Sequence, residues 1–302
     1  MDSTVQHASM RDRWPRLVAA LLVVAALTVA TPSFAQRTFP TPEAAVDALV
    51  DGLARHDNDE VHALLGPDFR RLIPLDTASE RDRTDFLAAW SQGHRIEREG
   101  AYARLLLSDG WSLPIPIVRS GEGWAFDAHA GLEEMRIRRI GRNELAAINA
   151  MYAYFDAQRE YAEQDRNGDG ILEYARRFLS SPGKHDGLYW DTSEGELPSP
   201  AGPLFYTAGI KDGYYGYRFK ILETQGGAAT GGARSYLARG HLANGFALVA
   251  WPARYGETGV MSFLVNHDGI VYQKDLGANS AAIASAMTRF DPDATWVALP
   301  PP

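Results

Sequence analysis

No cysteine occurs among the 302 residues. That excludes disulfides, a thiol nucleophile, thiolate metal ligands and an acylated lipobox cysteine, so the fold rests on its apolar core alone. There is no G-x-S-x-G elbow for an activated serine and no H-E-x-x-H spacing for a catalytic zinc. Positive charge is also short: 30 Lys and Arg stand against 38 Asp and Glu, for a formal net charge of −8. Nucleic acid and anionic membrane are poor partners for that balance.

What the chain does have begins at its N-terminus. Arg11, Arg13 and Arg16 precede an apolar run from Leu17 to Ala30, and Ser33-Phe34-Ala35 supplies the small residues that a signal peptidase accepts. As a helix the run spans only about 21 Å, short of the roughly 30 Å hydrocarbon core, so a cleavable signal fits better than a retained anchor. The expectation is a signal peptide over residues 1–35, a periplasmic or secreted mature protein, and no membrane span after cleavage. Losing three arginines and two aspartates takes the net charge from −8 to −9. The remaining length suits about two domains.

An α+β fold is expected. Thr41-Pro42-Glu43 starts a helix with a capping residue and a first-turn proline, and Ala45, Val46, Leu49, Val50 and Leu53 recur at helical spacing. Short helices follow over Asp59–Leu65 and Arg83–Ser91. The period then shortens: His94–Glu99, Tyr102–Leu107, Trp111–Val118 and Gly123–Ala128 read as strands of an antiparallel meander. A long helix is predicted over Asn143–Glu163 and a short one near Glu173–Leu179. Strands are then predicted over Tyr214–Leu222, where Tyr215, Tyr217, Phe219 and Ile221 share a face, over Phe246–Trp251, and in two runs within Met261–Leu276 joined through Asn266-His267-Asp268-Gly269. A closing helix is expected over residues 278–290. The domains are thus 36–142, N-terminal helices plus a curved meander, and 143–302, a long helix plus an antiparallel sheet.

The most specific chemical motif is Asp165-x-Asn167-x-Asp169-Gly170-x-x-Glu173. It places oxygen ligands at positions 1, 3, 5 and 9 of a calcium loop, with a turn glycine at 6 and the Ile171 carbonyl at 7. Position 12, where an EF-hand needs a bidentate glutamate, is Arg176, so an ion would need a distant carboxylate such as Asp186 or Glu194. The two readings are a structural Ca²⁺ site at Asp165, Asn167, Asp169, Ile171 and Glu173, or a polar turn ending a helix. No other cofactor is expected. His129 and His241 can meet carboxylates only through the fold, and His56, His62 and His267 read as surface or packing residues. Gly226–Gly232 lacks a following Lys-Ser or Lys-Thr and reads as a flexible hairpin connection instead of a phosphate loop. Acidic pairs such as Glu133 with Glu134, and Asp156 with Glu160, read as solvated helix faces. The aromatic residues Tyr189, Trp190, Tyr215 and Tyr217, with Tyr206 and Tyr214 nearby, are candidates for a binding surface or for core.

Several stretches carry a family resemblance: Gly123-Trp124-Ala125-Phe126-Asp127, Arg139-Ile140-Gly141-Arg142-Asn143-Glu144, Asp156 to Ala162 running into Asp165–Tyr174, Asp186 to Trp190, Gly216 to Phe219, and Asp275-Leu276-Gly277. Together they resemble DUF2950, a bacterial family of exported proteins of unknown function. The resemblance implies no activity, and no catalytic or binding residue comes with it. Residues 40–130 look like an NTF2-like cone, and residues 246–276 resemble the β-region of pilin-like proteins; both are likenesses of fold, not of function. The expected role is a non-enzymatic module binding an envelope protein or a glycan through its β-rich C-terminal half. The alternative is an enzyme acting on a small ligand or envelope polymer in a pocket inside the N-terminal cone, lined by Trp111, Trp124 and Phe126.

Overall fold

The computed structural model describes residues 36–73, 77–192, 198–202 and 213–300. The predicted signal segment, Tyr206 and Glu194 lie outside the described residues. The class is α+β, as expected, with two hydrophobic cores.

The first core starts at α1, Pro42–Ala54, whose N-cap Thr41 accepts a hydrogen bond from the Ala44 N–H and whose buried stripe is Ala45, Val46, Leu49, Val50 and Leu53. Helix α2, Asn58–Leu65, is capped by Asp57 and ends at Gly66, whose φ of 79° suits glycine. Helices α3, Phe69–Leu72, and α4, Thr77–Gln92, follow. Strands β1, His94–Glu99, β2, Tyr102–Leu107, β3, Ile117–Ser120, and β4, Gly123–Phe126, form the expected meander in the order β1-β2-β3-β4. The third strand is shorter than predicted. Pro114 and Pro116 lack backbone donors, so residues 111–116 run irregularly along β2, held by Leu107 N–H to the Trp111 carbonyl and Leu113 N–H to the Leu105 carbonyl.

Helix α5, Ala128–Tyr161, is the backbone of the molecule. Its 34 residues span about 51 Å. It begins at Ala128 instead of Asn143, because residues 128–142 carry only a thin apolar stripe and are held by other means. Asp127 caps the N-terminus through the Ala130 N–H at 2.9 Å, Glu134 pairs with Arg138 at 2.8 Å, and Gly131 lets the helix lie against Ile115. The first turns, with Leu132 and Met135, pack on the first core; Ala147, Met151, Tyr154, Ala157 and Tyr161 are buried in the second. Residue 142, the expected domain boundary, therefore lies within a helix that serves both cores.

The second core is built on a sheet of β5, Tyr217–Leu222, β10, Ala247–Pro252, β11, Met261–Asn266, β12, Tyr272–Asp275, and β13, Val297–Ala298, antiparallel throughout in the order β13-β12-β11-β10-β5. Two ribbons flank it: β6, Thr224–Gln225, with β7, Arg234–Ser235, and β8, Leu237–Ala238, with β9, His241–Leu242. Every residue of β10 is buried, as its apolar run predicts. The closing helix α6, Ser280–Ala286, packs on β10 and is shorter than predicted; the Lys220 ammonium donates to the Ser285 and Met287 carbonyls at its end, both at 2.7 Å. Residues 173–179 form no helix, although one was expected near there. Tyr174 pairs with Leu242 and Leu179 with Tyr189, so their backbone groups are taken by neighbouring chain.

Candidate functional site

At the C-terminal end of α5 the chain makes the polar turn that the Asp165–Glu173 motif predicts. Both Asp165 carboxylate oxygens face inward and accept the N–H groups of Gly168 at 2.8 Å, Asp169 at 3.2 Å and Gly170 at 2.7 Å. Those bonds, Gly170's first, hold the Asp165 carboxyl below its ordinary pKa. Gly168 and Gly170 have φ of 77° and 84°, the left-handed backbone the turn needs. Asn167 donates to Asp169 Oδ2 at 2.9 Å and Glu173 Oε1 at 2.6 Å, while the Ile171 N–H goes to Asp169 Oδ1 at 2.9 Å.

Opposite these carboxylates stands His241 of β9. Its Nδ1 lies 3.1 Å from Glu173 Oε2 and 3.5 Å from Asp169 Oδ2, and the ligand atoms of Asp169, Glu173 and His241 all fall within 4.8 Å of one another. A carboxylate–carboxylate–imidazole set of this span can hold a divalent cation. Of the five residues expected to ligate, the structure brings Asp169 and Glu173 together, with Asn167 bridging them; Asp165 is turned onto the backbone. Ile171 uses its N–H within the turn. Asp186, one carboxylate considered for the missing position, is instead engaged by Ser181 and, at 3.5 Å, by Arg177. Burial works against its charge, but those partners keep its pKa below the usual value. The sequence offers His241, with His129, as a histidine that only the fold can bring to carboxylates; it lies 68 residues beyond Glu173 and arrives through the β8–β9 ribbon. The cluster opens onto a shallow cleft of about 420 Å³. The Tyr161 hydroxyl on its wall, which donates to the His185 carbonyl at 2.7 Å, has its pKa pushed up by burial and then by Glu173, Asp186 and Asp169.

The aromatic candidates do not form one surface. Tyr217 is fully buried, with its hydroxyl donating to the Met261 carbonyl at 2.8 Å, and Trp190 is 6 % exposed, stacked on His185. Both are core, because β5 packs the face that holds Tyr217 and the 179–189 bridge draws Trp190 inward. Tyr189 is half-buried and donates to Asp191 at 2.7 Å. Tyr215 is exposed, but its φ of 48° places it in a turn before β5 and not on the strand face. The Gly226–Gly232 connection joins β6 to β7, as expected for a hairpin. It is pinned, with the Gln225 amide donating to the Thr230 and Gly232 carbonyls and Asp291 accepting the Ala228 N–H.

Trp124 and Phe126, two of the residues expected to line a pocket in the N-terminal half, are instead buried in the first core. A cleft of about 640 Å³ lies instead outside the sheet, between α4, residues 107–114 and α5. Trp111, 41 % exposed, stands in it with its ring edge-on to Phe86, their centroids 6.0 Å apart. Asp82 and Asp85 project from α4 and Arg138, Arg139 and Arg142 from α5. The sequence offered Trp111 as a pocket residue and Arg139 to Glu144 as a family-matching stretch, but the cleft itself is assembled from three segments that only the fold brings together.

These features define an α+β protein with two cores strung on one helix, an aromatic cleft beside the first and a polar turn at the edge of the second. A family model described as "Protein of unknown function (DUF2950)" matches residues 36–299, and the chain belongs to that family. No curated protein and no solved structure matches it. Among the described residues no helix is long and apolar enough to cross a membrane.

Proposed function

We propose that the protein is a non-enzymatic binding module of the bacterial envelope whose ligand site is the cleft between α4 and α5. The observation that carries this reading is the exposed Trp111 among charges of both signs. An indole left open beside Phe86, Leu107 and Pro114 is a rigid apolar anchor, and aromatic side chains with arginine beside them dominate binding energetics. The site belongs to the N-terminal half, because the aromatic strands of the C-terminal half spend their rings on core. The test is thermal melting of residues 36–302 with the low-mass fraction of a bacterial envelope extract. A rise in melting temperature that Trp111→Ala abolishes supports the reading; a rise that survives Trp111→Ala, or none at all, overturns it.

A second reading concerns the polar turn, as a structural divalent-cation clip of Asp169, Glu173 and His241. It is favoured by the arrival of His241 opposite two carboxylates already fixed by the turn. Oxygen ligands suit Ca²⁺, while an imidazole added to two carboxylates shifts the preference toward Zn²⁺ or Mn²⁺. Melting in EDTA, Ca²⁺, Mn²⁺ and Zn²⁺ tests it. A metal-dependent rise lost in both Asp169→Ala and His241→Ala supports the clip, and equal melting in all four conditions sinks it.

A further inference from the structure

We propose that the cleft takes a short peptide segment carrying a cationic and a carboxylate group on either side of an apolar residue; this rests on the reading of the cleft as a binding site.

The two walls have opposite charge and unspent bonding capacity. Asp82 and Asp85 sit one helical turn apart on α4, on the same face as Phe86 and Ala89, and among the described residues neither has an ion-pair or hydrogen-bond partner. On α5, Arg138 is committed: it pairs with Glu134 and donates to the Ser112 carbonyl at 2.7 Å and hydroxyl at 2.8 Å, fastening the Trp111 segment to the helix. Arg139 makes a single long bond, 3.3 Å, to the Glu257 carbonyl. Arg142 is exposed and has no partner among the described residues. Its planar fork matches a carboxylate, and the two aspartates match an ammonium or guanidinium. Between the walls, Trp111, Leu107, Pro114 and Met135 offer an apolar floor, and about 640 Å³ suits a ligand of a few residues.

Other occupants use only part of this surface. A neutral glycan can stack on Trp111 but strips water from Arg142, Asp82 and Asp85 without giving them ionic partners. A polyanion meets the aspartates and a chain of net charge −8. A dipolar peptide satisfies both walls and the floor at once.

The test uses two pools of end-blocked hexapeptides, one with Lys first and Asp last, the other with Gln and Asn in those places, and Ala, Leu, Val or Phe at random between. Residues 36–302 select from both pools, retained peptides are identified by mass, and calorimetry measures the best one against its uncharged analogue and against chitotetraose. The expected result is retention from the charged pool and roughly tenfold tighter binding than the analogue at low salt. That margin should shrink at high salt, and Arg142→Glu and Asp85→Lys should each cost roughly tenfold while melting like the wild type. Equal retention from both pools, or unchanged binding in Arg142→Glu, overturns the proposal. Binding of the uncharged analogue or of chitotetraose that Trp111→Ala abolishes overturns the peptide class but leaves the cleft standing. Failure of every probe to bind overturns both.

Discussion

Replacing Gln158 by leucine should loosen the second core far more than a change of one amide suggests. Gln158 is fully buried on α5, and its side chain bonds both ways with Ala175: Nε2 donates to the Ala175 carbonyl at 2.8 Å and Oε1 accepts the Ala175 N–H at 2.8 Å. Nε2 also donates to the Tyr154 hydroxyl at 2.9 Å. Ala175 is itself buried, so Gln158→Leu strands one backbone donor and one backbone acceptor without water. Each stranded group costs about 1–3 kcal/mol, and the added apolar burial returns part of it, for a net loss of about 2–4 kcal/mol. Urea unfolding of residues 36–302 reads this as a lower midpoint at unchanged slope. Hydrogen exchange should speed up first at Ala175. The exposed Gln164→Leu should stay within about 0.5 kcal/mol of wild type. A Gln158→Leu protein less than about 1 kcal/mol below wild type would refute the view that this amide splices residues 173–179 onto the helix.

Two further predictions concern the frame around the site. Asp127→Ala removes the N-cap of α5 and should cost about 1 kcal/mol in thermal or urea unfolding, with Asp127→Ser restoring most of it. His267 is held below its ordinary pKa of 6.5, first by burial and further by Arg234, whose guanidinium lies 2.7 Å from Nε2, with Asp268 opposing. The unfolded chain therefore binds the proton more readily. Stability should be full above pH 6.5 and should fall as the pH drops from there toward the lowered folded value. His267→Gln should flatten that part of the curve, and an unchanged slope in the variant would count against the assignment.

Much of the fold could be read from residue spacing because local physics decides it. The Thr41-Pro42 start of α1, the wholly apolar β10 and the Asn266–Gly269 loop, with Gly269 at φ 77°, are settled by capping, burial and backbone freedom within a few residues. Helix α5 was legible only in its second half, and there the main stripe was misplaced: Leu145, Ile148, Met151, Tyr152 and Phe155 repeat at helical spacing, yet Leu145 is 64 % exposed and the buried face is Ala147, Met151, Tyr154, Ala157 and Tyr161; its first half is held by charge pairs and by Ser112, which no periodicity reports. Residues 173–179 misled because helical composition yields to tertiary pairing with Leu242 and Tyr189. The polar turn was visible, since its residues are contiguous; His241 stood out only as one of two histidines that could meet carboxylates, and its place at this turn depends on the β8–β9 ribbon. The rings of Trp190 and Tyr217 read equally well as surface or core until the packing around them was known.

The central claim is that ligand enters beside Trp111. Six tryptophans follow residue 35, at positions 90, 111, 124, 190, 251 and 296, so a ¹⁵N spectrum of the indole N–H groups separates the cleft from the rest of the molecule. Assignment by Trp111→Phe and titration with the low-mass envelope fraction should move the Trp111 resonance and leave those of Trp190 and Trp251 in place. A stationary Trp111 resonance alongside a shifted Trp190 or Trp251 would put the ligand on the C-terminal half and contradict the account.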